Sequence, residues 1–196
     1  EQVGKCVDEV GIGFLFAAKL HPAMKHAIGV RREIAVRTIF NILGPLTNPA
    51  GARRQLMGVF AADLTPMLAH VLNELGTITA LVVSGYGNLD ELTTTGPNTV
   101  SYLKDGAITT YEFAPEEYGF RGAHISELLG DDAPTNAAIL RGILAGEIAD
   151  ARRDVVLLNA AAALMAGGLT DSLSQGIEMA AGVIDDGKAL AKLDAL

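Results

Sequence analysis

The chain has 196 residues, of which 49% are apolar and 19% are charged, and this composition excludes a disordered polar tail. Its 15 Lys and Arg residues and 23 Asp and Glu residues give a net charge of −8, which argues against binding to nucleic acid or to an anionic membrane. Cys6 is the single cysteine and no signal-like apolar segment opens the chain, so we expect a protein of the reducing cytoplasm without internal disulfides.

The first 50 residues combine apolar runs with signals for helices and loops. The chain begins at Glu1 rather than methionine and enters an apolar stretch at residues 10–18, so we expect a fragment of a longer protein. Residues 11–16 (GIGFLF) are predicted as a buried strand or an apolar loop. His21-Pro22 suggests a helix start, and helices are predicted over residues 23–28 and 30–37. The sequence NILGPLTNP at residues 41–49 predicts a loop.

Strand and helix patterns alternate after this loop. A strand over residues 55–60 and a helix over residues 65–75 precede a continuous apolar strand at residues 78–84 (ITALVVS). A strand without polar alternation is covered on both faces, which is typical of a parallel sheet in an α/β fold. The turn Lys104-Asp105-Gly106 predicts an antiparallel edge hairpin between residues 100–103 and 108–113.

The chain from Ala133 onwards is predicted to be helical, with breaks near Gly146, Gly168 and Gly187. The most apolar run covers residues 155–166 and is interrupted by Asn159. It is shorter than the ~20 residues that a membrane-spanning helix needs. We therefore expect no segment that crosses a membrane.

Two adjacent carboxylates, Asp90 and Glu91, follow the apolar strand on a glycine-bearing loop at residues 85–91. Ligands of open α/β sheets bind beyond the carboxyl ends of the strands. Magnesium is held by one or two carboxylates together with waters and substrate phosphates, which makes this acidic pair a candidate metal site. The alternative is a solvated acidic turn.

Arginines and a histidine precede the loop at residues 41–49. An arginine such as Arg31 in a cleft can bind a carboxylate through two hydrogen bonds, whereas the alternative is a surface ion pair, for example with Glu33. His21 is a candidate hydrogen-bond donor at a pocket wall, with a structural cap as the alternative. No residue is identified as a catalytic acid or base.

These strings together resemble the anthranilate phosphoribosyltransferases, which belong to the class that includes the pyrimidine nucleoside phosphorylases. The matching segments occur in the family's order at residues 13–17 (GFLFA), 21–25 (HPAMK), 30–31 (VR), 37–49 (RTIFNILGPLTNP), 89–91 (LDE), 115–119 (PEEYG) and 158–164 (LNAAAAL). The run at residues 37–49 is the most specific of them. The resemblance implies an α/β domain with a mostly parallel sheet flanked by helices, and two helices that belong to a small helical domain.

The same resemblance implies transfer of a phosphoribosyl group from phosphoribosyl pyrophosphate to anthranilate, with loss of pyrophosphate, in tryptophan biosynthesis. It implies that Arg31 holds the carboxylate of anthranilate, and that His21, Gly44 and Pro45 line the route of this acceptor. Asp90 and Glu91 are implied to bind Mg²⁺. Residues 1–20 are expected to enter the α/β domain, residues 21–37 to form the helices of the helical domain, and residues 38–196 to form the remainder of the α/β domain.

The sequence departs from the family pattern in one respect. The GTGGD loop that cradles pyrophosphate in the family does not occur in residues 1–196, so the family's first half is absent and the isolated chain is expected to be inactive. The full-length protein is expected to be a homodimer. A non-enzymatic nucleic-acid-binding relative of the same fold is the alternative, which the net charge and the acidic pair oppose. A relative with another aromatic acceptor is opposed by the retained Arg31, His21 and GPLTNP string.

Overall fold

The computed structural model of the chain describes residues 2–16 and 42–196. The chain divides into two compact units, Glu1–Ala52 with Lys192–Leu196, and Arg53–Ala191. The helices predicted over residues 23–28 and 30–37 lie outside the described residues. Within the described ranges, no helix combines the length and the apolar character needed to cross a bilayer.

The first unit begins with helix α1 (Gln2–Lys5), which continues as a π-helical turn over Cys6–Val10. The turn ends at Gly11, whose φ of 84° lies in the left-handed region that glycine adopts without strain. The ammonium group of Lys192 donates a hydrogen bond of 2.6 Å to the carbonyl of Val10.

Two predictions in this unit can be compared with the structure. Of the two alternatives for residues 11–16, the apolar loop is confirmed and the buried strand is wrong: Phe14 is 72% exposed, and its ring stacks on Phe16 at 6.3 Å. An apolar run carries no information about its partner, and this one pairs with no strand among the described residues. The predicted loop at residues 41–49 contains a one-turn helix, α2 (Leu43–Leu46). Its proline is compatible with a helix because N–H groups in the first turn have no helical acceptor, so the missing N–H costs no hydrogen bond.

The second unit contains a four-stranded sheet in the order β1-β2-β3-β4. Strand β1 (Arg54–Gly58) pairs in parallel with β2 (Thr79–Ser84), and helix α3 (Leu64–Glu74) forms the crossover between them. Strands β3 (Asn98–Lys104) and β4 (Ala107–Phe113) continue the sheet by antiparallel pairing. The α/β class is confirmed.

The sheet is mixed in the described part of the chain, so the expectation of a mostly parallel sheet is corrected there. Parallel neighbours need a crossover, and α3 supplies one for β1 and β2. The chain returns from β2 to β3 without a helix and therefore runs antiparallel. The predicted edge hairpin is confirmed, with Asp105 (φ 49°) and Gly106 (φ 85°) forming its two-residue turn.

Helices follow the sheet, as predicted. They are α4 (Ala133–Leu144), α5 (Ala151–Gly167), α6 (Leu173–Asp185) and α7 (Lys188–Ala195), preceded by 3-10 turns at Pro115–Tyr118 and Ile125–Glu127. Asp132, Asp150 and Ser172 cap α4, α5 and α6 by accepting a backbone N–H. The predicted breaks are confirmed, because Gly146, Gly168 and Gly187 all have positive φ.

Strand β2 is buried along its whole length, as its unbroken apolar pattern predicts. Leu81 and Val83 belong to a core cluster with residues of α5 and α6, such as Leu158 and Leu173. The alternate side chains share the other face with Ser101, which donates a hydrogen bond to Thr65 of α3. The carboxyl end of β2 is thereby held between helices on both faces of the sheet.

Candidate metal centre

A tight loop follows β2 and brings the acidic pair, Asp90 and Glu91, to the carboxyl end of the sheet. Gly85 donates a backbone hydrogen bond of 2.9 Å to Leu89, which closes the loop. The turn between them needs left-handed backbone at Gly87 (φ 78°) and Asn88 (φ 63°). Asp90 and Glu91 then leave the loop beside the ends of β1 and β2.

Glycines at the ends of these two strands allow the acidic pair to approach the sheet. A Cβ atom at Gly58, the last residue of β1, would lie 2.5 Å from the carbonyl carbon of Asp90 and closer still to its oxygen. A Cβ atom at Gly85 would collide with the carbonyl oxygen of Glu91. The backbone of the pair therefore lies directly on the strand ends, where only glycine leaves room.

The residues after the pair are held by two asparagine side chains. Asn159 of α5 accepts a hydrogen bond from the Leu92 N–H (2.9 Å) and donates one to the Leu92 carbonyl (2.7 Å). Asn98 of β3 accepts from the Thr93 N–H (2.8 Å) and donates to the Thr93 carbonyl (2.9 Å). Leu92 and Thr93 are both fully buried. The acidic pair therefore emerges from an anchored backbone.

The electrostatics of the pair suit a cation. Burial raises the pKa of the Glu91 carboxyl, and the neighbouring charge of Asp90 raises it further. A cation between two close carboxylates relieves this repulsion. The described residues hold no group of three or more His, Cys, Asp or Glu side chains suited to a metal. Two carboxylates that leave most of the coordination sphere to water and phosphate are typical of Mg²⁺, so the pair fits this ion.

A cavity of about 310 Å³ opens beside Glu91. Its lining is mostly apolar, with Leu128, Ile139 and Val155 among its walls. Arg152 also lines it, but the guanidinium is paired with Asp150, which caps the same helix. The cavity therefore offers no uncommitted guanidinium to an anion.

The structure places Asp90 and Glu91 side by side at the carboxyl end of β2. Gly44 and Pro45 lie in α2, within the other compact unit. Arg31 and His21 lie outside the described residues, so their roles stay predictions.

Residues 1–190 match the glycosyl transferase family, a/b domain. The chain belongs to this family. The chain is 53% identical, over its full length, to the anthranilate phosphoribosyltransferases of Syntrophotalea carbinolica and Moorella thermoacetica. The resemblance stated from the sequence is confirmed. The chain spans 55% and 58% of the lengths of these two relatives.

Solved structures agree with the family assignment. Anthranilate phosphoribosyltransferase from Thermus thermophilus matches with a TM-score of 0.91 at 43% identity, over 99% of this chain and 57% of that one. The enzyme from Saccharomyces cerevisiae, in complex with PRPP and Mg, matches with a TM-score of 0.80 at 26% identity, over 89% of this chain and 50% of that one.

Sequence reasoning missed the residues that hold the acidic pair. Gly58 and Asn159 act on the main chain of residues distant in sequence, and no local motif marks such partners, whereas Asn98 bonds to Thr93 only five residues away. The one available signal was Asn159 itself, an amide that interrupts an apolar helical run.

Proposed function

We propose that this chain carries part of the active site of an anthranilate phosphoribosyltransferase, which transfers a phosphoribosyl group from phosphoribosyl pyrophosphate to anthranilate in tryptophan biosynthesis. The observation that carries the proposal is the placement of Asp90 and Glu91 at the carboxyl end of β2, in a chain whose full length matches enzymes of that name. The S. cerevisiae structures with PRPP and Mg and with 4-fluoroanthranilate support both substrates.

Asp90 and Glu91 are proposed to hold Mg²⁺ in this reaction. When bound, the ion neutralises the charge that develops on the departing pyrophosphate. The anchored backbone supplies the two carboxylates in a fixed place, so little reorganisation is needed when the donor arrives. The acceptor amine is a neutral nucleophile, which is consistent with a sequence that offers no obvious general base.

The acceptor site is proposed from the family resemblance. Arg31 would hold the carboxylate of anthranilate, and His21, Gly44 and Pro45 would line its route. A homodimeric full-length protein is proposed on the same ground, and a cytoplasmic location is proposed from the single cysteine, Cys6, which allows no internal disulfide. The alternative, a nucleic-acid-binding relative, is opposed by the net charge of −8.

The proposal is tested in an intact enzyme that contains this chain. Asp90→Asn combined with Glu91→Gln should remove most turnover and raise the magnesium requirement, because the anionic ligands are lost. Arg31→Ala should raise the KM for anthranilate by about ten- to a hundredfold with a smaller effect on the donor, because a charge-assisted pair contributes roughly 1.5–3 kcal/mol. Wild-type turnover of the double variant at limiting magnesium would refute the metal role.

The chain alone provides a second test. Residues 1–196 contain no GTGGD loop, so the isolated chain should show no measurable turnover with anthranilate, phosphoribosyl pyrophosphate and Mg²⁺. Turnover close to that of the intact enzyme would contradict this assignment.

A further inference from the structure

Asn159 makes a pair of hydrogen bonds to one residue of another segment. Its amide accepts from the N–H of Leu92 and donates to the carbonyl of Leu92, 67 residues away in sequence. The same Nδ2 also donates to the carbonyl of Val155, one turn earlier in α5, at 2.9 Å. This third bond holds the amide in one orientation, because it ties the side chain to its own helix.

Asn98 holds the next residue from the opposite side. Consecutive residues of an extended segment direct their N–H and C=O groups to opposite sides. Leu92 accordingly bonds to Asn159 of α5, and Thr93 bonds to Asn98 of β3. Two side-chain amides thus take the place of neighbouring strands along residues 92 and 93. The peptide group between Leu92 and Thr93 cannot rotate without losing two hydrogen bonds, one to each asparagine.

Leu92 is joined directly to Glu91, and its side chain is fully buried in the core cluster. The paired bonds to Asn159 therefore fix the position of the main chain just after Glu91. Gly58 and Gly85 determine how closely the main chain of the acidic pair lies on the sheet. We propose that Asn159 is a positioning residue for the metal-binding pair: by holding both polar groups of Leu92, it orients Asp90 and Glu91 for a divalent cation. The inference rests on the proposed metal role of that pair.

A purely structural role is the competing explanation, because any buried hydrogen bond contributes to stability. The two explanations differ in what they predict for metal binding. Removal of a purely structural residue lowers the stability of the whole unit, but the affinity for the cation is unchanged as long as the chain stays folded. Groups that orient metal ligands typically change affinity by about 10- to 100-fold when they are removed.

Three variants of the 196-residue chain separate these explanations. Asn159→Leu removes both bonds to Leu92 and keeps the branching at Cγ, and Asn159→Gln keeps the amide but displaces it by one methylene. Ser101→Ala is the matched control, because Ser101 is a buried residue that is hydrogen-bonded in the same unit but contacts Thr65 on the α3 face. Circular dichroism establishes that each variant is folded at the temperature used.

The measurements are amide hydrogen exchange at Leu92 and titration with Mn²⁺, followed by broadening of the backbone NMR signals of Glu91 and Leu92. Asn159→Leu should lose exchange protection at Leu92 and weaken Mn²⁺ binding by about 10-fold or more. Asn159→Gln should fall between this variant and wild type, and Ser101→Ala should match wild type within about twofold. The Gln variant keeps the test possible if the Leu variant does not fold.

An unchanged Mn²⁺ affinity in both Asn159 variants would overturn the positioning role, and so would an equal loss in Ser101→Ala. Asp90→Asn with Glu91→Gln separates this failure from failure of the proposed function. If that variant binds Mn²⁺ as wild type does, the pair is not the metal site and the inference about Asn159 fails with it. If it loses binding while the Asn159 variants keep it, only the positioning role fails.

Discussion

Gly58→Ala tests how closely the acidic pair lies on the sheet. The new Cβ would overlap the carbonyl oxygen of Asp90 and lie 2.5 Å from its carbonyl carbon, and ordinary contact begins near 3.4 Å, so the backbone at Asp90 must move by at least about 1 Å. The atoms in the way belong to the main chain, and the next residues are tied, Leu92 to Asn159 and Thr93 to Asn98. We therefore expect a loss of about 1–3 kcal/mol in the free energy of unfolding, the range for overpacked sites.

The control is Gly182→Ala. Gly182 is an exposed residue inside α6, and a Cβ there would have no neighbour within 4 Å. Removing a glycine from a helix interior stabilises by up to about 1 kcal/mol, so the two identical substitutions should have effects of opposite sign.

Urea unfolding of the chain, followed by circular dichroism, measures both effects. In an intact enzyme, a displacement of about 1 Å at the metal ligands should also lower turnover by about a hundredfold for Gly58→Ala but not for Gly182→Ala. A Gly58→Ala chain within about 0.5 kcal/mol of wild type would refute the close approach of Asp90 to β1.

Three further predictions concern charge and capping. Glu91→Gln should raise the free energy of unfolding of the metal-free chain at neutral pH, because the raised pKa of Glu91 means that its charged form is disfavoured in the folded chain. The gain in urea unfolding over wild type should appear as the pH rises above 4.5, the ordinary pKa of this carboxyl. Burial, with Tyr118 and Tyr102 nearby, raises the pKa of Tyr111 to about 12, so the free energy of unfolding should fall as the pH rises from about 10 to 12. A smaller fall in the Tyr111→Phe variant, measured by alkaline denaturation, would confirm the cause. Asp150→Ala should lower the free energy of unfolding by about 1 kcal/mol in urea titrations, because the N–H of Arg152 at the start of α5 loses its acceptor; no change would show that solvent replaces the cap.

Local patterns were sufficient to predict much of the second unit. Helix α3 shows helical spacing in the sequence, the buried strand β2 is an unbroken apolar run, and Asp105-Gly106 marks a turn that requires positive φ. The mixed sheet was harder to predict, because strand direction depends on whether a helix lies between neighbours. An apolar run such as residues 11–16 is visible in the sequence, but whether it pairs as a strand and becomes buried is not.

The candidate site was predictable only in part, for a related reason. Asp90 and Glu91 follow a strand and bring their own chemistry, so their place at the sheet end follows from the sequence. The groups that hold them act across long separations: Asn159 lies 67 residues from Leu92, and Gly58 reaches Asp90 from another strand. A single sequence contains each of these residues but does not show which of them are in contact.

The hydrogen bonds and close contacts that hold the acidic pair reach main-chain atoms of Asp90, Glu91, Leu92 and Thr93. The scaffold therefore has little dependence on which side chains stand at positions 90 and 91. A library randomised at these two positions should yield mostly folded chains, including those that no longer bind a cation. At this loop, the interactions that stabilise the fold are separate from the side chains that bind the ligand. Mutations at positions 90 and 91 can therefore change the ligand preference during evolution while the fold is retained.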